Sequence, residues 1–308
     1  MPGIYGYKTP GTVDVDIYLN GLNTLFMKSF LEVKTDWERL ASKVESNNES
    51  EKYPWLGDVP GVREKKGEIV PRGLMKYDYA ISNKEWEVSM EIALADIRRD
   101  KYGQISMRVG ELGMRGKEHI DELVFDLIEN GNSKLCYDGQ YFFDSDHSEG
   151  ASGTQSNIGT EELGLTSLSN ARVKGMRMKD NQGKPRRVIF DLLVCPPELE
   201  DDALTYVKAS TLLISGVAER LVPNFNIHQG RFDVLASPLL AGTKCWMLFC
   251  TKRPIKPFIY QEEVPLHPNH LTEASDHAKK TGNVIFQFEG SYNAGYSFWW
   301  LGYGSFPT

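Results

Sequence analysis

The chain lacks most features that announce a specific chemistry. It has no His-Glu-x-x-His pair, no Gly-Lys-Thr phosphate loop, no glycine-anchored calcium loop and no nucleophile elbow. Cysteine is scarce: Cys136, Cys195, Cys245 and Cys250 are the four in 308 residues. Their spacing gives no zinc site, which needs close Cys or His pairs at both ends. Met1 to Tyr7 contain neither a basic n-region nor an apolar h-region, and no run approaches the ~18 apolar residues of a membrane span. These absences predict a cytosolic chain with reduced thiols in or beside its core, and no membrane partner. An excess of cations is missing too. The net charge is −7, so the chain as a whole has no electrostatic reason to condense on nucleic acid.

What is present is an ordinary globular composition, 41% hydrophobic and 25% charged, long enough for about two domains of roughly 150 residues. Residues 1–16 mix Gly, Pro, Thr and Asp without period and read as an extended arm. Leu19, Leu22, Leu25, Phe26, Phe30 and Leu31 predict a helix over 16–33, and a short strand is expected over 37–44. From Ser46 to Arg72 the composition turns to Asn, Glu, Lys, Pro and Gly, and Pro54, Pro60 and Pro71 exclude a helix. Trp55 in that long loop is either a core anchor or a residue presented to a partner. Tyr77, Tyr79 and Ile81 alternate, Ser82-Asn83-Lys84 reads as a turn, and Trp86, Val88, Met90, Ile92 and Leu94 alternate with Glu85, Glu87, Ser89 and Glu91. That pattern predicts a hairpin with one apolar and one acidic face.

Residues 102–130 read as one helix of about 29 residues. Gly110, Gly113 and Gly116 cost about 1 kcal/mol each against Ala, so the helix either breaks near Gly116 or carries a close-packed glycine edge. Ser148 to Thr160 is a loop by composition and the candidate domain boundary. Beyond it, a helix over 167–178, a buried strand over 188–194 and a helix entered at Pro197 alternate α and β. Strands are expected over 232–236, 245–251 and within 281–303, the last rejoining the sheet of the first unit.

The stretch from Glu118 to His147 organises the chain. Ile120, Leu123, Val124, Leu127 and Ile128 form one helical stripe, which then empties into Cys136-Tyr137-Asp138-Gly139-Gln140-Tyr141-Phe142-Phe143-Asp144-Ser145-Asp146-His147. Asp138, Asp144, Asp146 and His147 are the densest set of oxygen and imidazole ligands, and two readings compete: a divalent-metal or acid–base site, or a structural junction. Acidic residues beside glycine in a turn more often cap backbone N–H groups. His267, His270 and His277 are expected in solvent, and Lys252-Arg253 with Lys256 as plain surface charge.

Several blocks resemble the Mu-like major head subunit (gpT-type) family of tailed phages and prophages. They are Tyr53-Pro54-Trp55-Leu56-Gly57-Asp58-x-Pro60-Gly61-x-Arg63, Asp121-Glu122-Leu123-Val124-Phe125, the Cys136–His147 block, Arg253-Pro254-Ile255-Lys256-Pro257-Phe258-Ile259-Tyr260-Gln261 and Asn293-Ala294-Gly295-Tyr296-x-Phe298-Trp299. The resemblance implies an α+β tailed-phage major capsid fold. Its parts would be an N-terminal arm and helix over 1–35, a peripheral domain over 36–54 and 86–164 with a spine helix near 102–130, an extended loop hairpin over 55–85, an axial domain over 165–245, and a return to the peripheral domain over 246–308. It further implies a non-catalytic subunit without cofactor or metal that assembles as hexamers and pentamers into an icosahedral virion shell in the bacterial host cytoplasm. Partners would be further copies, separate scaffold and portal proteins, decoration proteins, and packaged double-stranded DNA bound without sequence specificity. Trp55, Leu56, Asp58 and Arg63 become inter-subunit contacts of the loop, and Asp138, Gly139, Asp144, Asp146 and His147 the domain-junction turn. Two rivals stand beside it: a phage-derived, encapsulin-like nanocompartment shell, and a metal-dependent hydrolase using Asp144, Asp146 and His147.

Overall fold

The computed structural model describes residues 14–54, 56, 78–99, 103–215 and 221–307. Helix α1 (Val15–Glu32) starts where the Asp14 carboxylate accepts the Ile17 N–H at 3.3 Å, and it buries Val15, Leu19, Leu22 and Phe26 on one stripe. The expected strand over 37–44 is instead a turn of helix, α2 (Trp37–Leu40), followed by β1 (Ala41–Glu45). The cause lies far away in sequence: the Asp121 carboxylate accepts the N–H groups of Asp36 and Trp37 at 3.0 and 2.7 Å and holds the turn closed.

Next come β2 (Ser50–Lys52), β3 (Ala80–Ser82), β4 (Lys84–Ala93), α3 (Leu94–Arg99) and α4 (Gln104–Glu129). The expected hairpin at Ser82-Asn83-Lys84 does not form. β3 pairs with β2, whereas β4 pairs along its whole length with a strand from the C-terminal part. Asn83 is tied down on both sides, donating to Asn48 O and accepting from Gln261 Nε2, so the chain runs on and does not reverse.

The rest is β5 (Ile158–Gly159), α5 (Leu165–Arg177), β6 (Leu192–Cys195), α6 (Glu200–Lys208), β7 (Thr211–Ser215), β8 (Leu221–Phe225), β9 (Asp233–Ala236), β10 (Trp246–Phe249), β11 (Phe258–Pro268), α7 (Asp276–Thr281), β12 (Asn283–Tyr296) and β13 (Gly302–Ser305). Two main sheets result. The first has the order β1-β11-β12-β4, and β12 alternates buried and half-buried positions as a one-face-in strand should. The second has the order β5-β13-β10-β6-β9, with β6 and β10 buried throughout. The segment 246–308 therefore does not simply return to the first sheet: β11 and β12 join it, whereas β10 and β13 belong to the second. One aromatic core spans both sheets, with Phe142 stacked on Tyr296 at 4.8 Å and tilted against Phe258 at 5.3 Å.

Helix α4 is continuous through Gly110, Gly113 and Gly116, because those glycines are where α1 crosses it. A Cβ on Gly113 would lie 2.6 Å from the Phe26 carbonyl oxygen. The close approach lets Phe26 reach the first sheet, where its ring stacks on Phe288 with centroids 3.7 Å apart. Gly113→Ala should therefore destabilise the subunit by about 1–2 kcal/mol, since overpacking against backbone outweighs the ~1 kcal/mol gained in helix propensity. Urea denaturation checks this, and a stabilised variant would show that the two helices separate freely.

Of the three histidines expected in solvent, His267 is exposed and His277 pairs at the surface with Glu91, but His270 is half-buried against Phe286, with ring centroids 4.5 Å apart. His270 Nε2 hydrogen-bonds Asn23 Oδ1, and its Nδ1 accepts the Gln287 N–H at 2.9 Å, so the ring sits neutral between α1 and β12. Burial holds its pKa below the ordinary value. The folded state thus binds fewer protons than the unfolded chain, so stability is complete above about pH 6.5 and falls as acid protonates the unfolded side first. The melting temperature should drop from pH 7.5 to 5.5, and His270→Gln should remove part of that drop.

Candidate functional site

The junction after α4 is built from the backbone outward. Gly131 must be glycine, because a Cβ there would lie 2.5 Å from the Phe143 ring. The chain then folds back in a tight turn at Gly139, whose φ of +85° favours glycine. Asp138 Oδ1 accepts the Gln140 N–H at 3.2 Å, and its Oδ2 meets His147 Nδ1 at 2.7 Å. Asp144 accepts N–H groups from Ser145 and Tyr141 at 2.6 and 3.3 Å, while Asp146 lies exposed with its carboxyl hydrogen-bonded to Asp144. The metal reading needed Asp144, Asp146 and His147 together. They are not: His147 turns inward to Asp138, and the other two carboxylates serve the turn.

His147 is fully buried and stacks on Trp299, with ring centroids 4.0 Å apart and planes 2° from parallel. Its Nε2 has no hydrogen-bond partner among the described residues. Beside it lies Glu149, 2% exposed, which accepts from Tyr137 Oη, from Trp299 Nε1 at 3.1 Å and from Arg186 Nη2. Asn157, also fully buried, donates to the carbonyls of Phe142, Trp299 and Gly302 and accepts the Asp144 N–H. The expected loop over 148–160 is thus pinned by buried polar residues and is no free linker. Cys136 lies against the same turn, where burial pushes its thiol well above the ordinary cysteine range. A thiol held protonated is a poor nucleophile. Among the described residues no group of three His, Cys, Asp or Glu is placed to hold a metal. The arrangement fixes geometry and offers no open position to a substrate.

The described residues that flank the expected loop over 55–85 form a second cluster. Gln261 on β11 is fully buried, accepts the Tyr53 hydroxyl at 2.5 Å and donates to Ile81 O and Asn83 Oδ1 at 3.1 and 2.7 Å. It clamps both ends of the loop to the first sheet. Leu56 is fully buried in the subunit's own core, which corrects its assignment as an inter-subunit contact: it is an anchor at the root. Trp55, Asp58 and Arg63 lie outside the described residues. Sequence reading missed Gln261, Glu149, Asn157 and Arg186. The one available hint was a polar residue inside an apolar strand run, Phe258-Ile259-Tyr260-Gln261.

Residues 15–166 and 229–307 match the family described as Mu-like prophage major head subunit gpT. The chain belongs to that family. It is 27% identical over 281 residues to the Mu-like prophage FluMu major head subunit of Haemophilus influenzae, covering 91% of this chain and 68% of the relative. It is also 30% identical over 151 residues to the major capsid protein of Escherichia phage Mu, covering 47% of this chain and 50% of that protein. A procapsid subunit of bacteriophage JBD30 superposes with a TM-score of 0.57 at 24% identity, covering 94% of this chain and 75% of the other. That likeness shows the tailed-phage capsid fold. The gpT family is structural and not enzymatic, and neither the nanocompartment nor the hydrolase reading is favoured. The family match leaves out residues 167–228, which hold most of α5 and all of β6 to β8.

If the junction is structural, Glu149→Ala should lower stability by about 3–5 kcal/mol, because it strands the buried Arg186 guanidinium. Replacing both partners, as Glu149→Leu with Arg186→Met, should recover much of the loss. A chelator should leave the melting temperature unchanged; a clear drop would restore the metal reading.

Proposed function

We propose that this gpT-family head subunit closes an icosahedral shell as hexamers and pentamers, using the extended loop over 55–85 to reach neighbouring copies. The observation that carries the reading is the clamp at the loop root. Tyr53, Ile81 and Asn83 are locked onto β11 through Gln261, and Leu56 is buried beside them, so the residues flanking the proline- and glycine-rich segment form a rigid base. Such a segment is ordered at low entropic cost only when a neighbour covers it. Trp55, Asp58 and Arg63 are its proposed contact residues. The peripheral and axial units are proposed to be built on the first and second sheets, with the Glu149 junction between them.

The net charge of −7 fits a shell that encloses DNA without neutralising it, so that filling requires a motor acting through a portal. Scaffold and decoration proteins are proposed as further partners, with assembly in the host cytoplasm. Electron microscopy of purified protein tests the core of the reading: rings or shells are expected, and persistent monomers under every condition would overturn it. Deleting residues 55–72 should leave a subunit that melts cooperatively yet forms no stable shell. Intact shells from that deletion would remove the loop from its assigned role.

A further inference from the structure

The hairpin over 178–187 carries Lys179, Lys184, Arg186 and Arg187, and the turn over 251–256 carries Lys252, Arg253 and Lys256. Arg186 Nε donates to Lys179 O at 2.8 Å, and Arg253 Nη2 donates to Arg186 O at 2.7 Å, which locks the two segments together. Both guanidinium groups pack on the Trp300 ring, 4.8 and 4.9 Å from its centroid. Trp300 is 6% exposed, and its indole N–H is buried without an acceptor among the described residues.

Arg186 is committed to Glu149, and Asp180 in the same hairpin is committed to the N–H groups of Gln182 and Lys184. Lys184, Arg187 and Lys252 stand exposed, and neither they nor Arg253 has a carboxylate partner among the described residues. Arg187 also holds a φ of +55°, a left-handed conformation adopted by no other non-glycine among the described residues. This is more than scattered surface charge. It is a rigid cationic face, suited to carboxylates.

The same chain carries the complement. In the β4–β12 register Glu87 lies directly opposite Glu289, and Glu85 opposite Ser291. Like charges set directly opposite are destabilising. Among the described residues neutral amides serve Glu87 and Glu289: Gln287 Nε2 reaches Glu87 at 3.3 Å and Glu289 at 3.0 Å, and Asn269 Nδ2 reaches Glu289. These carboxylates edge a cleft of about 410 Å³ whose lining includes Val264 and His267 but no Lys or Arg.

We propose that the face carrying Lys184, Arg187 and Arg253 docks on the Glu85, Glu87 and Glu289 face of a second copy of this chain. The proposal rests on the shell-forming reading and names one contact within it. The two faces are different surfaces, so the contact is head-to-tail, and each subunit gives one face to each neighbour round a closing ring. Duplex DNA would fit the cationic face alone and leave the acidic face uncompensated. A second copy satisfies both.

Charge reversal tests the contact. Glu87→Lys with Glu289→Lys makes both faces positive; Lys184→Glu with Arg187→Glu makes both negative. Each variant alone should lose at least ~10-fold in particle yield by electron microscopy, since like-charge juxtaposition across an interface is strongly unfavourable. Mixing the two should restore six-membered rings, in which the variants can alternate so that each supplies the other's complement. Either variant assembling like wild type would overturn the proposal, as would a mixture that forms no six-membered rings while both variants keep wild-type circular dichroism. Should a reversal unfold the chain, the neutral pair Glu87→Gln with Glu289→Gln takes its place: it must raise the protein concentration needed for assembly, and an unchanged threshold overturns the contact. A negative-face variant that assembles normally but no longer retains linear duplex DNA assigns the cationic face to DNA instead. Wild-type protein that never assembles indicts the shell reading and not this interface.

Discussion

A carboxylate taken out of water holds this subunit to one shape. Glu149 is 2% exposed, and its charge is tolerable only because Tyr137, Trp299 and Arg186 converge on it. Those partners come from the turn after α4, from the 3₁₀ turn before β13 and from the hairpin that enters β6. The energy gained over an apolar cluster of the same volume is small, because desolvation cancels most of the attraction. What the arrangement adds is geometric: any slip between the end of α4 and the second sheet leaves a buried charge unpaired. The stacked His147–Trp299 pair and the Asp138 carboxylate extend that constraint into the turn itself.

Around this fixed junction the subunit divides its labour by surface chemistry. The first sheet is stiffened from one side by α1 and α4, whose glycine contact brings two helices closer than side chains would permit. The Gln261 clamp passes that stiffness to Tyr53, Ile81 and Asn83, which flank the loop proposed above. A projecting segment transmits force or registers a neighbour only if its root does not swing. Burying one glutamine with every polar atom engaged is an economical way to stop the swing, since an unsatisfied buried amide would cost about 1–3 kcal/mol.

Periodicity made the local elements legible. α1, α4, α5, β9 and β10 fall where the apolar spacing places them, and even the glycine edge of α4 was one of two readings open to the sequence. Failures occurred wherever a distant residue decides local structure. Trp37–Leu40 is helical because of Asp121, 84 residues away from Trp37. Ser82-Asn83-Lys84 does not turn because Gln261 and Asn48 hold Asn83. The 148–160 stretch has a loop's composition, yet Asn157 and Glu149 are among the most enclosed polar groups of the chain. Composition reports what a segment would do alone, and these segments are never alone. The Asp/His cluster illustrates the same limit in functional terms, since its residue types suit a metal while Asp138 and Asp144 are taken up by the backbone and the imidazole of their own turn.

Head subunits must remain soluble until they meet and then hold together. A large apolar interface would satisfy the second demand and defeat the first. An acidic chain that sets Lys184, Arg187 and Arg253 together on one rigid face would meet both, because the net charge of −7 separates free subunits while the oriented local field of the proposed contact favours one docking pose. Each such contact is individually weak and screened by salt. In the ring proposed above, closure multiplies them, and strength then resides in the count of neighbours and not in any single interface. The rigidity enforced by Glu149 and Gln261 is what makes that multiplication work: if the faces moved relative to one another, each added neighbour would have to order them again.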